Sequence, residues 1–169
     1  MPKILTAYFS PGGSTREIAQ NLSAALGSDL YEIKPAVPYT EADLNWMDKN
    51  ARSTIEMKDK NSRPLIIDDD AKISEYDIIL LGFPIWWYIA PTIINTFLEK
   101  YNFANKKIIL FGTSGGSGFG RTVENLIPSI HQSAEIVEGE IWVQGRFSKN
   151  PGPEELKDWF KNLNLNWKH

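Results

Sequence analysis

Two strongly apolar runs constrain the fold of this chain more than any other feature. They are YDIILLGF at residues 76–83 and KKIILFGT at residues 106–113, and neither alternates apolar with polar residues. A strand that is apolar on both faces must be covered on both faces, which is typical of the central strands of a parallel sheet. Both runs are therefore predicted to be central parallel strands.

Helical patterns and shorter strands alternate with these runs. Further strands are predicted at 3–10, 30–34 and 134–143, and the last is expected to be bulged or broken at Glu138-Gly139. Helices are predicted to begin near Ser14 or Thr15, at Pro91, before Val123 and at Pro153. Strand–helix alternation of this kind builds a parallel sheet with helices on both faces. The predicted fold class is α/β, a doubly wound five-stranded parallel sheet.

Length, charge and composition bound the function. A chain of 169 residues is expected to form a single domain over 1–169, and a net charge of −3 favours neither nucleic acid nor a membrane as partner. The start of the chain shows no secretory signal pattern, so a cytoplasmic location is expected. The chain has no cysteine and only two histidines, His131 and His169. Thiol catalysis is excluded, and neither a metal centre nor catalytic side chains are expected.

Three known functional patterns are considered, and each lacks a residue that its chemistry requires. GGSGFGRT at 115–122 approaches a P-loop but has Arg121 in place of the lysine. The letters of a nucleophile elbow are present at 112–116, yet His131 is expected at the opposite sheet edge and cannot serve the serine. No acidic residue directly follows the first or third strand, which argues against a receiver-type signalling module.

Residues 35–75 interrupt the regular alternation. The segment contains three prolines, many charges and one helical pattern formed by Leu44, Met47, Ala51 and Ile55. We interpret it as a surface helix and loop in place of a plain crossover, with a substrate lid as the alternative.

The loop after the first strand has features of an anion-binding site. Residues 10–15 read SPGGST, and their glycines let backbone N–H groups approach a ligand closely. The start of the following helix adds unpaired N–H groups and the positive end of the helix dipole. Ser14 and Glu17 have the spacing of a capping box, so a simple turn with a helix cap is the alternative.

The loops after the third and fourth strands are expected at the same sheet edge, because parallel strands all end there. GFPIWWYIAP at 82–91 places three aromatic residues in a row, which a flat ligand stacked on the rings explains. A hydrophobic lid or a partner contact is the alternative. GTSGGSGFG at 112–120 holds five glycines, which indicates close backbone approach or a mobile loop. Together the three loops fit a flat mononucleotide, and flavin mononucleotide (FMN) fits best.

With YFSPGGST, GFPIWWYIAP and GTSGGSG in this order, the chain resembles the flavodoxin-like family over essentially its full length. The resemblance implies a three-layer α/β/α fold with sheet order 2-1-3-4-5 and FMN as cofactor. The family's phosphate loop reads S/T-x-T-G-x-T, and Gly12 here replaces its second threonine.

The resemblance also implies which residues bind each part of FMN. The phosphate would be bound by Ser10, Gly12, Gly13, Ser14 and Thr15. The isoalloxazine ring would be flanked by Pro84, Ile85, Trp86, Trp87 and Tyr88. The pyrimidine side of the ring would be bordered by Thr113, Ser114, Gly115, Gly116 and Ser117.

The functional hypothesis is an FMN-binding electron-transfer protein that works with redox partner proteins. The phosphate dianion and apolar walls would disfavour an anionic reduced flavin and lower its potential. The alternative is an NAD(P)H-dependent flavin enzyme that reduces quinones or other small acceptors. Two departures from electron-carrying flavodoxins leave room for it, the mild net charge and the length of the 35–75 segment.

Overall fold

Five parallel strands form one sheet in the order β2-β1-β3-β4-β5 in the computed structural model, which describes residues 2–163. The strands are β1 (Ile4–Tyr8), β2 (Asp29–Glu32), β3 (Ile78–Pro84), β4 (Lys107–Ser114) and β5 (Glu135–Val143). Every neighbouring pair is parallel. The predicted fold class and sheet order are confirmed, with strand ends displaced by one or two residues.

Residues 2–163 contain five α-helices, and they are α1 (Ser14–Leu26), α2 (Arg52–Lys58), α3 (Thr92–Lys100), α4 (Thr122–Leu126) and α5 (Pro153–Asn162). Alternate residues of β3 point to opposite faces, so Ile79 and Leu81 pack with α3 while Ile78 and Leu80 pack with α1. The second face also receives Leu156 of α5. The result is the predicted three-layer arrangement, with both faces of β3 fully buried.

The irregularity predicted in the last strand is a β-bulge at Gly139. Leu110 pairs with Glu138 and Phe111 with Glu140, so one residue of β5 is left over. A Cβ atom at Gly139 would overlap the carbonyl oxygen of Leu110. Glycine is therefore required where the bulge brings the two backbones together.

Two local predictions are wrong. Helix α1 does begin at Ser14, but its N-cap residue is Gly13, which has no side chain, so Ser14 and Glu17 form no capping box. The helical pattern at 44–55 is mostly turns, and only the short helix α2 forms there. Met47 and Ile55 are exposed, because this segment does not lay one continuous face on the core.

Trp142 of β5 and Trp159 of α5 meet edge to face, with ring centroids 5.3 Å apart. Trp167 and His169 lie outside the described residues. Among the helices within residues 2–163, none has the length and apolar character needed to cross a bilayer.

Candidate functional site

The three loops predicted to converge do so at the carboxyl edge of the sheet. A cavity of about 620 Å³ is lined by the aromatic loop and the glycine loop, including Ile85 and Gly115. A smaller cavity of about 150 Å³ is lined by Ser10, Ser14 and neighbouring residues of the first loop. Trp86 belongs to the lining of both, so the two cavities are neighbouring parts of one site.

Ser10 organises the first loop. Its Oγ accepts hydrogen bonds from the N–H groups of Gly13 at 3.1 Å and Arg16 at 3.0 Å. The Glu17 N–H then begins the helical ladder by donating to the carbonyl oxygen of Gly13 at 3.3 Å. Ser10 thus takes the role that the sequence suggested for Ser14, because an upstream side chain folds back over the helix start.

Two further N–H groups of the first turn belong to residues that line the small cavity. No hydrogen bond within residues 2–163 uses the N–H groups of Ser14 and Thr15, and both residues line that cavity. A Cβ atom at Gly12 would meet nothing within 4 Å, so space remains in front of the loop. Two free donors at the positive end of a 13-residue helix fit a phosphate group.

Thr15 and Thr113 tie the first and third loops together. Their hydroxyl oxygens lie 2.9 Å apart, and both side chains are almost completely buried. Thr113 therefore lies beside the small cavity, and Pro84 lies there too. This contact fixes the first loop against the end of β4.

Two of the predicted site residues line neither cavity. Gly13 adopts a left-handed conformation with φ of 93° and shapes the turn into α1. Ser114 donates a hydrogen bond from Oγ to the carbonyl oxygen of Ser117 at 2.6 Å and accepts one from the Gly116 N–H. Both residues support loops whose other members face the ligand space.

The aromatic loop is a tight turn with a strained backbone. Trp86 and Ile89 exchange backbone hydrogen bonds, and between them Trp87 and Tyr88 have φ of 48° and 70°. Two positive φ values define a type I′ turn, which normally holds asparagine and glycine. Aromatic residues are outliers there, and such strain concentrates at binding sites. Gly120 packs on the Tyr88 carbonyl, where a Cβ atom would overlap it.

Three residues that the sequence did not indicate complete the large cavity, namely Leu44, Trp46 and Ser53. We call the segment 37–58 that carries them the outer wall. Residues 35–75 do contain a short helix and turns in place of a plain crossover, and part of this segment also forms one side of the cavity. The exposed Trp46 in a polar stretch is the one sequence signal that could have indicated this.

The outer wall is held by a small network around Tyr39. The Tyr39 hydroxyl donates to Glu56, the Arg52 guanidinium stacks 3.8 Å from the Tyr39 ring centroid, and Arg52 also pairs with Glu56 at 2.9 Å. Burial, and then the hydrogen bond to Glu56, raise the pKa of Tyr39 above its ordinary value. The Tyr39 ring in turn packs edge to face on Trp86, with centroids 5.6 Å apart.

The site is nearly free of charge. Among residues 2–163, no acidic or basic side chain lines the large cavity. Arg16, next to the first loop, is paired with Glu32 at 2.7 Å, and this hydrogen bond raises the pKa of Arg16. Arg121 is exposed and lies 3.8 Å from Glu124. Backbone dipoles and hydroxyls therefore provide the polar groups closest to a ligand.

A phosphate-sized cavity that opens beside an aromatic slot, at the carboxyl edge of a doubly wound sheet, defines a mononucleotide-binding α/β protein. Residues 3–163 match the model of the flavodoxin family. The chain belongs to the flavodoxin family. This membership supports the expectation that FMN is the cofactor.

Solved structures agree with this assignment. A candidate flavoprotein from Bacteroides eggerthii DSM 20697 is 38% identical with a TM-score of 0.86, and the alignment covers 98% of this chain and 100% of that one. A flavoprotein from Lactobacillus acidophilus NCFM in complex with FMN shares the fold at 22% identity, with a TM-score of 0.66 and coverage of 95% and 99%.

Two curated relatives, from Cavia porcellus and Rattus norvegicus, share one named activity. NAD(P)H dehydrogenase (quinone) 1 from Cavia porcellus is 27% identical over 113 residues. The match covers 53% of this chain and only 41% of that protein.

Proposed function

We propose that this protein is an FMN-dependent oxidoreductase that passes electrons from NAD(P)H to a small planar acceptor. The observation that carries the proposal is the outer wall, which encloses one side of the large cavity beside the aromatic loop. The sequence favoured an electron carrier, whose flavin edge must stay accessible to a protein partner. A slot of about 620 Å³ with the outer wall on one side favours a small-molecule acceptor, since its volume lies in the range of ligand pockets.

In this proposal the first loop holds the phosphate. The free N–H groups of Ser14 and Thr15 donate to it, and Ser10 keeps its own hydroxyl proton available after accepting two N–H bonds. Charge-assisted hydrogen bonds of this kind are the strong ones. No basic side chain is required, which agrees with the pairing of Arg16 with Glu32.

The other two loops hold the ring. Ile85, Trp86, Trp87 and Tyr88 form one wall of the slot, and Gly115 to Ser117 form its rim. Bound FMN supplies reversible two-electron chemistry, and the chain supplies position and electrostatics. The uncharged lining and its aromatic rings stabilise neutral forms of the ring over anionic ones.

The electron carrier is the second candidate, and the rim of the site favours it. Trp46, Met47 and Tyr88 are largely exposed next to the cavity, and Tyr88 is 71% exposed. Exposed apolar residues around a redox centre are typical of a surface that docks partner proteins.

Steady-state kinetics separate the two candidates. The FMN-loaded protein is mixed with NAD(P)H and menadione, with no reductase added, and the oxidation of the nicotinamide is followed by absorbance. Sustained oxidation that depends on both FMN and menadione is the expected result. Oxidation that occurs only after a separate flavodoxin reductase is added would instead assign the protein as a carrier.

A further inference from the structure

The loop that follows β5 carries two positive side chains at the ligand edge of the sheet. Residues 144–150 read QGRFSKN, so the segment holds Arg146 and Lys149 and no acidic residue, in a chain whose net charge is −3. Because β5 runs parallel to β4, its carboxyl end lies at the same edge as the three loops of the site. Within residues 2–163, neither Arg146 nor Lys149 forms an ion pair.

This loop begins directly beside the glycine loop. The Gln144 N–H donates a hydrogen bond to the carbonyl oxygen of Ser114 at 2.7 Å, and Ser114 precedes Gly115, which lines the large cavity. The two steps of chain from Gln144 to Arg146 span at most about 7 Å. Arg146 therefore lies close to the rim of the site, although it lines neither of the site's two cavities.

The shape of the loop is held by its uncharged residues. The Gly145 N–H donates to Ser148 Oγ at 2.6 Å, and the Ser148 N–H donates back to the Gly145 carbonyl oxygen at 3.2 Å. Phe147, inside this turn, is 90% exposed, and the Arg146 guanidinium carbon lies 5.6 Å from its ring centroid. Arg146 and Lys149 are exposed as well. The turn thus presents two cations and an aromatic ring that are free to meet a ligand.

Other arginines near the site already have acidic partners. Arg16 pairs with Glu32 at 2.7 Å, and Arg52 pairs with Glu56 at 2.9 Å. The large cavity itself has no charged lining within residues 2–163, so a phosphate group there would lose hydration without an ion pair in return. An anionic part of a ligand is therefore better placed outside the cavity, at the 144–150 loop.

The chemistry of the loop and of the cavity matches two ends of one molecule. Reduced nicotinamide is a neutral ring, which suits the uncharged cavity. The other half of NAD(P)H carries phosphates and an adenine, which suit paired cations and an exposed aromatic ring.

We propose that the 144–150 loop binds the phosphorylated adenosine half of NAD(P)H, with Arg146 and Lys149 donating to phosphate oxygens and Phe147 stacking on the adenine. This inference rests on the proposed function, in which NAD(P)H is the electron donor. The loop binds and orients the donor and takes no part in the transfer of the hydride. Its residues therefore determine the KM for NAD(P)H and leave kcat unchanged.

The first test measures binding without turnover. ADP-ribose has the adenosine and the diphosphate but no nicotinamide, and it is titrated into the FMN-loaded protein by calorimetry. The double variant Arg146→Gln/Lys149→Gln is expected to raise its Kd about tenfold, and Phe147→Ala about threefold. The control Lys72→Gln/Lys161→Gln removes the same charge before β3 and in the last turn of α5, both away from the ligand edge, and should leave this Kd unchanged.

The second test uses steady-state kinetics with NADPH and menadione. Arg146→Gln/Lys149→Gln is expected to raise the KM for NADPH about tenfold at unchanged kcat, and added salt should narrow its difference from the wild type. ADP-ribose with a 2′-phosphate then identifies the phosphate that is bound. A larger loss of affinity for this ligand than for ADP-ribose assigns a cation to the 2′-phosphate, and an equal loss assigns both cations to the diphosphate.

Three results would overturn the inference. An unchanged Kd for ADP-ribose in Arg146→Gln/Lys149→Gln would show that the loop does not meet the donor. Weakened FMN binding in this variant would assign the cations to the cofactor, and a lowered melting temperature would reveal a structural contact.

Failure of the loop assignment and failure of the proposed function give different results. If the wild type oxidises NADPH and the double variant equals it, only the role of the loop is wrong. If the wild type neither binds ADP-ribose nor oxidises NADPH, the proposed function is wrong as well.

Discussion

The two sides of this site are built in different ways. The first loop at 10–15 is tied to the sheet by the buried hydroxyl pair of Thr15 and Thr113. The outer wall at 37–58 is mostly turns, and it is held by the surface-near group of Tyr39, Arg52 and Glu56. One side is continuous with the core, while the other is an excursion whose ends meet where Pro35 pairs with Ile66.

This difference separates the part of the site that would hold the phosphate from the part that would contact the proposed acceptor. A phosphate must be held by donors fixed in advance, and the rigid end of α1 provides them. An acceptor wall built from turns can change in sequence without disturbing the sheet. We therefore expect substitutions in the first loop to affect stability and FMN together, and those in the outer wall to affect the acceptor.

The largest effect is expected from a negative charge in the first loop. Gly12→Asp places a carboxylate at the small cavity, where the phosphate is proposed to bind. Two like charges at about 4 Å repel by several kcal/mol at an intermediate dielectric. FMN affinity should fall by about 100-fold or more. The control is Gly27→Asp at the other end of α1, where the added Cβ also meets nothing within 4 Å. Equal losses of FMN affinity in the two variants would contradict the anion cradle.

A smaller loss is expected from breaking the buried hydroxyl pair. Thr113→Val leaves the buried Thr15 hydroxyl unpaired, which should lower the free energy of unfolding by about 1–3 kcal/mol. Thr54→Val in the outer wall frees only a carbonyl of the exposed Asp48, so its cost should stay below about 1 kcal/mol. Urea unfolding of the apo variants measures both. A larger loss of unfolding free energy in Thr54→Val than in Thr113→Val would contradict this expectation.

A substitution in the aromatic turn is expected to raise the stability of the apo protein. Tyr88→Gly relieves a positive φ of 70° and removes an exposed ring, so the apo protein should gain about 1 kcal/mol of unfolding free energy. The same variant should bind FMN more weakly, because Tyr88 lines the cavity. A variant that is less stable than the wild type would show that the turn is not strained.

The smallest effect concerns the pH dependence of the outer wall. Since the pKa of folded Tyr39 is raised above its ordinary value near 10, the unfolded chain loses this proton first as pH rises. The stability that Tyr39 provides is present below about pH 10 and is lost above it. Tyr39→Phe should cost about 1 kcal/mol at neutral pH and show a shallower alkaline decline. Urea unfolding of both proteins between neutral pH and about pH 11 measures this difference. If the free energy of unfolding falls equally with pH in the wild type and in Tyr39→Phe, the expectation is contradicted.

The sheet and its ligand edge could be predicted because they follow from local patterns. Fully apolar runs identify β3 and β4, and Gly139 marks the bulge in β5. The ends of parallel strands must then meet at one edge. The convergence of the three loops therefore followed from strand order alone.

The features that the sequence did not predict depend on contacts between residues that are far apart along the chain. Thr15 and Thr113 are separated by 98 positions, so no local pattern relates them. Ser53 reaches the cavity through turns that have no periodicity, and a serine at the start of a short helix is unremarkable in sequence. The capping role passed from Ser14 to Ser10 because the glycines between them let the chain fold back.

The central claim is that the first loop and the aromatic slot bind one phosphorylated planar ring. Titration of the apo protein with FMN and with riboflavin, followed by flavin fluorescence, tests it most directly, since the two ligands differ only in the phosphate. Two charge-assisted hydrogen bonds, at about 1.5–3 kcal/mol each, predict FMN binding about 100-fold or more tighter than riboflavin. Equal affinity for the two ligands, or no binding of FMN, would contradict the account.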